Sequence, residues 1–368
     1  MTAALRILAL TLGLLVLSLS DGAWAQSGGP APSALTDLPL DSGLPVVVRA
    51  GVAYADVDSV DENAEEFTGV VDVRLQWNDR RLAFPASEAP TGFREWRGEA
   101  AIAQLATIWS PDIGLSNLKG EPTAESFSLR IFTDGRVELL RRVTGTFGSP
   151  MDVRRFPFDR QFLVVELASR RDNADKVLLD YRQDDLAFSR PDAGIDIAGW
   201  TTGLIELARD PLPGWYGETY SRLRVALDVK RLPGETIPGL FVPLLACLLI
   251  PLLATWLNSV DNGEFKTEAF ELTNIIIGGL FAVIALNFTI NSERSILSGG
   301  GNTVAWMFGL NYLTLAAALV INVALFRLNL LRVVAGRHVQ HEFFLYITWA
   351  LPVAVGASAL ALILIAAA

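Results

Sequence analysis

The sequence contains a single cysteine, Cys247, which lies in an apolar run, so no disulfide can form within the chain. Only two histidines are present, His338 and His341, which leaves all earlier residues without an imidazole for acid–base catalysis or metal binding. The HExxH, GxSxG and P-loop patterns of metalloproteases, hydrolases and NTPases are also absent. These absences predict a protein that is not an enzyme and that holds no cofactor.

Positive charge is scarce, because 30 Lys and Arg face 40 Asp and Glu, a formal net charge of −10. Nucleic acids bind basic surfaces, so we expect no nucleic-acid partner. Apolar residues, in contrast, make up 51% of the chain, and the mean hydropathy is +0.36. This composition is too apolar for a purely soluble protein.

Four apolar runs in the C-terminal third are each long enough to cross a hydrocarbon core of about 30 Å. They predict a transmembrane domain at 233–368, with spans at about 237–257, 268–292, 303–326 and 343–368. The link after the third span carries three arginines, whereas the link after the second carries only Arg294. The positive-inside rule therefore places the third link in the cytoplasm and both ends of the mature chain outside.

The N-terminus has the features of a secretory signal peptide at 1–25, since Arg6 precedes a short apolar stretch and a small-x-small cleavage site follows at 23–25. The alternative is a short anchor helix. Residues 26–36 are rich in Gly, Pro and Ser and predict a flexible lead-in.

Short alternating runs broken by turn signals fill residues 37–232. FTGVVDVRLQW and SRLRVALDVKRL alternate apolar with polar residues, and Asp134-Gly135 between two such runs indicates a hairpin. Many short strands at this spacing predict an antiparallel, immunoglobulin-like β-sandwich outside the membrane.

Six short motifs occur in a fixed order along the chain: VDE (60–62), WNDRRL (77–82), WSPDIGLSN (109–117), MDVRRFPFDRQ (151–161), KRLP (230–233) and Pro243 in the first span. Through them the chain from about residue 45 onward resembles the pentameric ligand-gated ion channels, or Cys-loop receptors, in their bacterial form. The resemblance implies a homopentamer around a central pore, in which each chain has four identical partners and residues 37–232 form the ligand-binding domain. The two cysteines that name the family fall here at Ser149 and Leu163, so side-chain packing must close that loop.

The resemblance also implies an element that couples the two domains, formed by Phe156, Pro157 and Phe158. Pro157 fixes its backbone and donates no hydrogen bond, so the three residues form a stiff apolar wedge suited to rest on the membrane helices. The alternative is an ordinary hydrophobic turn that plugs the end of the sandwich.

A carboxylate at such a junction needs a partner, and for Asp159 the expected partner is Arg231. Together with Glu62 these residues resemble the family's inter-domain ion cluster. The alternative is three solvated surface charges.

The second span carries a stripe at alternating steps of three and four, as one face of a helix does: Glu271, Asn274, Gly278, Phe281, Ala285, Phe288 and Ser292. We expect this face to line the pore. Carboxylate rings of Glu271 and Glu268 at its cytoplasmic mouth would select permeant monovalent cations. The alternatives are a Glu271 that snorkels at the interface, and a register shifted by one that turns Phe270 toward the axis.

The resemblance implies a ligand site between adjacent ectodomains, to which six residues are assigned by matching or flanking position: Asp72, Ser116, Arg170, Trp215, Tyr216 and Tyr220. A guanidinium beside a carboxylate predicts a polar, anionic or zwitterionic ligand, or no small agonist, rather than an amine enclosed by aromatic rings. The alternative for Trp215 and Tyr216 is a pair of exposed loop aromatics without a ligand.

Protons and Ca²⁺ are further candidate agonists or modulators. Without ectodomain histidines they would act on paired carboxylates, which titrate high through mutual repulsion and supply the oxygen ligands that Ca²⁺ prefers. The candidate pairs are Glu65–Glu66 and Asp184–Asp185.

Two functions remain open at this point. One is a gated, cation-selective channel surrounded by the lipid of a bacterial inner membrane. The other is a non-conducting sensor, anchored in that membrane, with a periplasmic ligand-binding domain. The polar-to-apolar stripe favours the channel.

Overall fold

The computed structural model describes residues 34–40, 43–234, 236–258, 260–261, 264–265 and 269–368. The predicted signal peptide at 1–25, most of the predicted lead-in and Glu268 lie outside these residues.

Within the described residues, twelve strands build the N-terminal domain: β1 (Val46–Asp61), β2 (Glu66–Asn78), β3 (Phe93–Arg97), β4 (Ile113–Leu115), β5 (Ala124–Phe132), β6 (Arg136–Gly148), β7 (Arg160–Ser169), β8 (Val177–Asp180), β9 (Trp200–Arg209), β10 (Leu212–Pro213), β11 (Thr219–Tyr220) and β12 (Arg222–Arg231). Two short helices accompany them, α1 (Glu99–Leu105) and α2 (Gln183–Phe188).

The strands form two main sheets that face each other. One sheet has six strands in the order β3-β5-β6-β2-β1-β8, and the other has four in the order β4-β7-β12-β9. The described pairs are antiparallel except that β8 lies parallel to the start of β1. The sequence therefore predicted the sandwich correctly, but its one parallel pair arises because β8 reaches the edge of the first sheet after the chain has crossed from β7 in the second.

Alternation along the strands explains how the sandwich closes. In β2 and β12 nearly every second residue is buried between the sheets, and the intervening residues face outward. The turn between β5 and β6 contains Gly135 with φ +83°, a conformation that L side chains rarely adopt. A Cβ on Gly135 would also lie 2.5 Å from the carbonyl oxygen of Asp79.

One buried hydroxyl, that of Ser149, connects the two segments that the disulfide of related proteins does not join here. The Ser149 hydroxyl donates to the Phe162 carbonyl (2.7 Å) and accepts from the Val164 amide (3.1 Å). It therefore bonds β7 on both sides of Leu163. Side-chain packing was expected to close this loop, and a hydroxyl contributes to that closure.

Tyr54 in the first sheet reaches across the core to the second. Its fully buried ring carries a hydroxyl 2.6 Å from the Leu163 carbonyl oxygen and 3.0 Å from that of Val225. Burial raises the pKa of Tyr54 far above its ordinary value, so the hydroxyl remains a neutral donor.

The described residues after β12 are mainly helical: α3 (Val242–Trp256) after a π-helical turn, α4 (Ala269–Glu293), α5 (Thr303–Ile321), α6 (Leu330–Ala335) and α7 (Arg337–Ala367). A short pair, β13 (Val260–Asp261) and β14 (Glu264–Phe265), lies between α3 and α4. Four helical segments are long and apolar enough to cross a membrane: Ile237–Trp256, Phe270–Glu293, Thr303–Arg327 and Arg337–Ala367. The chain is a multi-pass membrane protein.

We expect Tyr54→Phe to lower stability by about 1–2 kcal/mol, because the buried carbonyl oxygens of Leu163 and Val225 lose a hydroxyl donor while the ring keeps its place. Thermal unfolding of the intact protein in detergent measures the change. Tyr346→Phe is the matched control, since Tyr346 is an exposed tyrosine on α7. Equal melting temperatures for the two variants would contradict the cross-sheet role of Tyr54.

Candidate functional site

An ion cluster joins the sandwich to the membrane helices. Arg231, at the end of β12, donates from Nε to Asp159 Oδ1 (2.7 Å) and from Nη2 to Asp159 Oδ2 (3.0 Å), a bidentate pair. Its remaining nitrogen, Nη1, donates to Glu62 Oε1 at 2.6 Å. Arg231 is 5% exposed and Asp159 is 1% exposed, so these are not solvated surface charges.

Two aromatic rings enclose the Arg231 guanidinium. Its Cζ lies 4.1 Å from the centre of the Trp200 ring and 4.8 Å from that of Phe156. Burial acts to lower the pKa of Arg231, but the hydrogen bonds and charges of Asp159 and Glu62 outweigh it and raise the pKa. The guanidinium therefore stays charged at every physiological pH.

The wedge of Phe156, Pro157 and Phe158 extends from the sandwich and contacts the membrane domain. Phe156 is fully buried and is part of the apolar cluster that includes Leu240 and Phe241 at the start of the first membrane helix. Pro157 is also buried and Phe158 is half-buried. Phe156 thus packs on the helices rather than filling the sandwich core.

The structure adds three residues to this junction that the sequence did not indicate: Trp200, Asn63 and Arg294. The side-chain amide of Asn63 donates to the Glu293 carbonyl (3.1 Å), and its Oδ1 accepts from the Ile296 backbone amide (3.2 Å). The β1–β2 turn is therefore hydrogen-bonded to the end of α4. Arg294 extends the ion cluster, with Nη1 3.5 Å from Glu62 Oε2. A lone asparagine in a turn carries no sequence signal for such docking.

The stripe on α4 faces away from the rest of the chain. All seven of its residues are exposed, among them Phe281 at 68% and Phe288 at 76%. The buried residues of α4 project on the roughly opposite side of the helix at 100° per residue: Leu272, Ile276, Val283 and Ile290. Phe270 is also exposed, so the shifted register stays open.

A cleft of about 410 Å³ lies beside the β10–β11 hairpin. It brings together five of the six residues assigned to a ligand site from the sequence: Ser116, Arg170, Trp215, Tyr216 and Tyr220. Trp215 is 97% exposed and Tyr216 89% exposed within a single chain. Both rings are thus available to a ligand or a neighbouring subunit.

The Arg170 side chain crosses directly over Gly114, where a Cβ would lie 1.9 Å from Nε. Any larger residue at 114 would displace the guanidinium. Among the residues that the structure describes, Arg170 makes no ion pair, so its charge is available in the cleft. The neighbouring Glu218 raises the pKa of Tyr220.

Asp72 does not line this cleft. It lies on β2 in the other sheet, where its two carboxylate oxygens each accept a hydrogen bond of 2.7 Å from Arg142. That bond raises the pKa of Arg142. Asp72 can join an Arg170 site only from a neighbouring subunit.

The candidate Ca²⁺ pairs lie in different settings. Asp185 is buried and binds Arg49 and Arg74, each at 2.9 Å, while Asp184 is exposed. Glu66 pairs with Lys119 at 2.6 Å. In the described part of the chain, no group of three or more His, Cys, Asp or Glu side chains gathers as a metal site.

Comparison with known proteins agrees with this architecture. The profile of the neurotransmitter-gated ion-channel ligand binding domain matches residues 36–233. The chain is 26% identical over 282 residues to a proton-gated ion channel of Gloeobacter violaceus. The aligned region covers 76% of this chain and 71% of that protein. It is also 26% identical over 246 residues to glycine receptor subunit beta of Rattus norvegicus and Homo sapiens. That aligned region covers 60% of this chain but only 44% of the receptor subunit.

A β-sandwich of this profile followed by four membrane-crossing helices defines the subunit of a pentameric ligand-gated ion channel. The chain belongs to the neurotransmitter-gated ion-channel family, in a form whose single cysteine rules out the family's disulfide. The relatives are channels rather than enzymes, as the missing enzyme motifs predicted. Family membership implies five copies around a central pore.

We expect Arg231→Ala to abolish gating or assembly, because it leaves the buried Asp159 without a countercharge. Losing one partner of a buried pair costs about 3–5 kcal/mol, and less where water reaches the site, as it does at Glu62. Channel currents and the amount of assembled pentamer measure the two effects. Arg155→Ala is the control, since Arg155 is an exposed arginine on the same loop as the wedge. An Arg231→Ala channel that gates like the parent would exclude the ion cluster as a coupling element.

Proposed function

We propose that this protein is a ligand-gated, cation-selective channel of a bacterial inner membrane, with its sandwich in the periplasm and five α4 helices around the pore. The observation that carries the proposal is the exposed stripe of α4, which begins with Glu271 and Asn274 and continues through apolar residues. A lipid-facing helix would not expose a carboxylate and an amide along one face.

Cation preference follows from the ring that five Glu271 side chains would form. Negative charges gathered in a narrow constriction would attract cations and repel anions. Phe281 and Phe288 would form two apolar rings above it. Such rings close a pore by excluding water rather than by a plug.

The β12 strand gives gating a direct mechanical route. It begins at Arg222, two residues after Tyr220 in the cleft beside the β10–β11 hairpin, which we call the aromatic cleft, and ends at Arg231 in the ion cluster. Its ten residues span about 33 Å as an extended strand. Occupancy of the cleft can therefore shift the position of Arg231, and with it the wedge and the start of α3.

The ligand class follows from the free guanidinium of Arg170 beside exposed aromatic rings. Such a site suits a small anionic or zwitterionic molecule better than a cationic amine. One relative is named for proton gating, and proton gating of this chain would have to use carboxylates, because its histidines lie at 338 and 341. Ca²⁺ would likewise depend on carboxylates.

The competing function is a non-conducting, membrane-anchored sensor. It would need the same ligand cleft and the same four helices but no aqueous path. A conserved fold does not by itself decide between the two. Current recordings from purified protein in planar bilayers, while pH, Ca²⁺ and small metabolites are varied, separate them directly.

Glu271→Gln tests the pore assignment, since it keeps size and hydrogen bonding and removes the charge. We expect lower cation conductance and a weaker preference for cations over anions, with gating intact. Reversal potentials in asymmetric salt measure the preference. Glu342→Gln, at an exposed carboxylate on α7 outside the stripe, is the matched control.

Glu268→Gln sharpens the same test. Glu268 precedes Glu271 by three residues along the chain, and cytoplasmic salt screens charges beyond about 8–10 Å, so we expect a smaller effect. If Glu271→Gln leaves selectivity and conductance unchanged while Glu268→Gln abolishes them, the proposed register of the pore helix is wrong.

Arg170→Gln tests the ligand class. With glycine and acetate as probes, we expect calorimetric binding to the parent and at least about tenfold weaker binding to the variant, because a charge-assisted hydrogen bond is lost. Arg171→Gln is the control, since Arg171 pairs with Asp172 and does not line the cleft. Equal binding by both variants would remove Arg170 from the ligand site.

A further inference from the structure

A second cleft, of about 470 Å³, lies at the end of the six-stranded sheet that is farthest from the membrane helices. The start of β1, the end of β2 and the start of β6 line it. The β1–β2 turn at the opposite end of these strands holds Glu62 and Asn63, which contact the membrane junction. Val46 and Val48 point into the core, so Val47 and Arg49 face away from it into this cleft.

Four guanidinium groups line this cleft, which we call the basic cleft: those of Arg49, Arg80, Arg136 and Arg182. One carboxylate, Asp134, lies among them, and its Oδ1 accepts the backbone amide of Arg136 at 3.0 Å. The charge balance of the lining is therefore strongly positive, in a protein whose net charge is −10.

In the described part of the chain, most of this positive charge has no carboxylate partner. Arg49 is compensated by Asp185 at 2.9 Å and by Asp184 at 3.7 Å. In the residues that the structure describes, the side chains of the other three arginines make no ion pair. The nearby Glu138 is bound to the side-chain amide of Gln76.

Arg136 is held in position by stacking, since its Cζ lies 4.0 Å from the centre of the Phe132 ring. The guanidinium keeps its hydrogen-bond donors free while its flat face rests on the ring. Arg80 lies two residues after the end of β2. Arg182 directly precedes α2, whose Asp185 accepts the Arg182 amide at 2.8 Å. Arg136 and Arg182 are thus positioned by a ring contact and by backbone amides, and neither guanidinium group makes a described ion pair.

Like charges gathered in a partly enclosed cleft repel one another, and an anion between them offsets that repulsion. Guanidinium groups offer paired donors that match the oxygen pairs of carboxylates and phosphates. A volume of about 470 Å³ exceeds the need of a single chloride ion and accommodates a molecule of several carbon or phosphorus centres.

We propose that the basic cleft binds a small oxyanion that carries at least two negative charges, either a di- or tricarboxylate or a phosphorylated metabolite. This site is separate from the aromatic cleft, which lies on the other sheet beside β10 and β11. The proposal does not depend on ion conduction or on cation selectivity.

The test uses the purified full-length protein in detergent and metal-depleted buffer, with citrate and pyrophosphate as the two probes. Calorimetry and thermal unfolding are measured against sodium chloride at equal ionic strength. We expect saturable binding and a raised melting temperature with at least one probe. Binding should weaken as sodium chloride is added, because salt screens the guanidinium charges.

Arg80→Gln combined with Arg136→Gln should weaken probe binding at least about tenfold, since each substitution removes charge-assisted hydrogen bonds. Arg190→Gln is the matched control, because Arg190 is exposed, makes no described ion pair and lies outside the cleft. Arg182→Gln provides the same comparison if the double variant does not assemble. The proposal would be overturned if neither probe bound saturably, or if the probes bound equally to the parent and to the cleft variants.

Discussion

The buried guanidinium of Arg231 is the contact on which the joining of the two domains depends. It holds Glu62 from the β1–β2 turn and Asp159 from the loop before β7, and it lies between two aromatic rings. This charge cannot release the buried Asp159 without a large cost, because water does not replace the lost bond. The turn, the loop and the end of β12 must therefore move as one body, and that body continues into the first membrane helix.

Because the disulfide is missing, non-covalent contacts alone must keep the loop before β7 in place. A covalent bridge would restrict the loop from Ser149 to Leu163 in every state, whereas here the Ser149 hydroxyl and the burial of Phe156 do so only in the folded protein. Phe156 is buried among residues of the membrane helices, so part of the loop's order comes from the second domain. Sandwich and helices thus stabilise each other, and neither is a self-sufficient unit at the junction.

The sequence predicted the sandwich and the family because alternation, apolar runs and ordered motifs are local signals, and the structure and comparisons confirm both. It also paired Asp159 with Arg231, because a charge beside a membrane needs a partner. It did not indicate that Asn63 docks on the end of α4, or that Asp72 binds Arg142 away from the aromatic cleft. Those contacts depend on which distant segments the fold brings together, and no periodicity encodes them.

The exposed face of α4 is suited neither to bulk water nor to lipid when the chain is alone. Phe281 and Phe288 would be unfavourably placed in bulk water, and Glu271 and Asn274 on the same face would be unfavourably placed in lipid. Neither solvent suits the whole stripe. A narrow water column shared by several copies would suit it, because Glu271 and Asn274 would keep their hydration while Phe281 and Phe288 would face the same rings of neighbouring copies rather than bulk water. The mixed chemistry of this one helix face therefore favours assembly around an axis over any arrangement in which the chain stands alone.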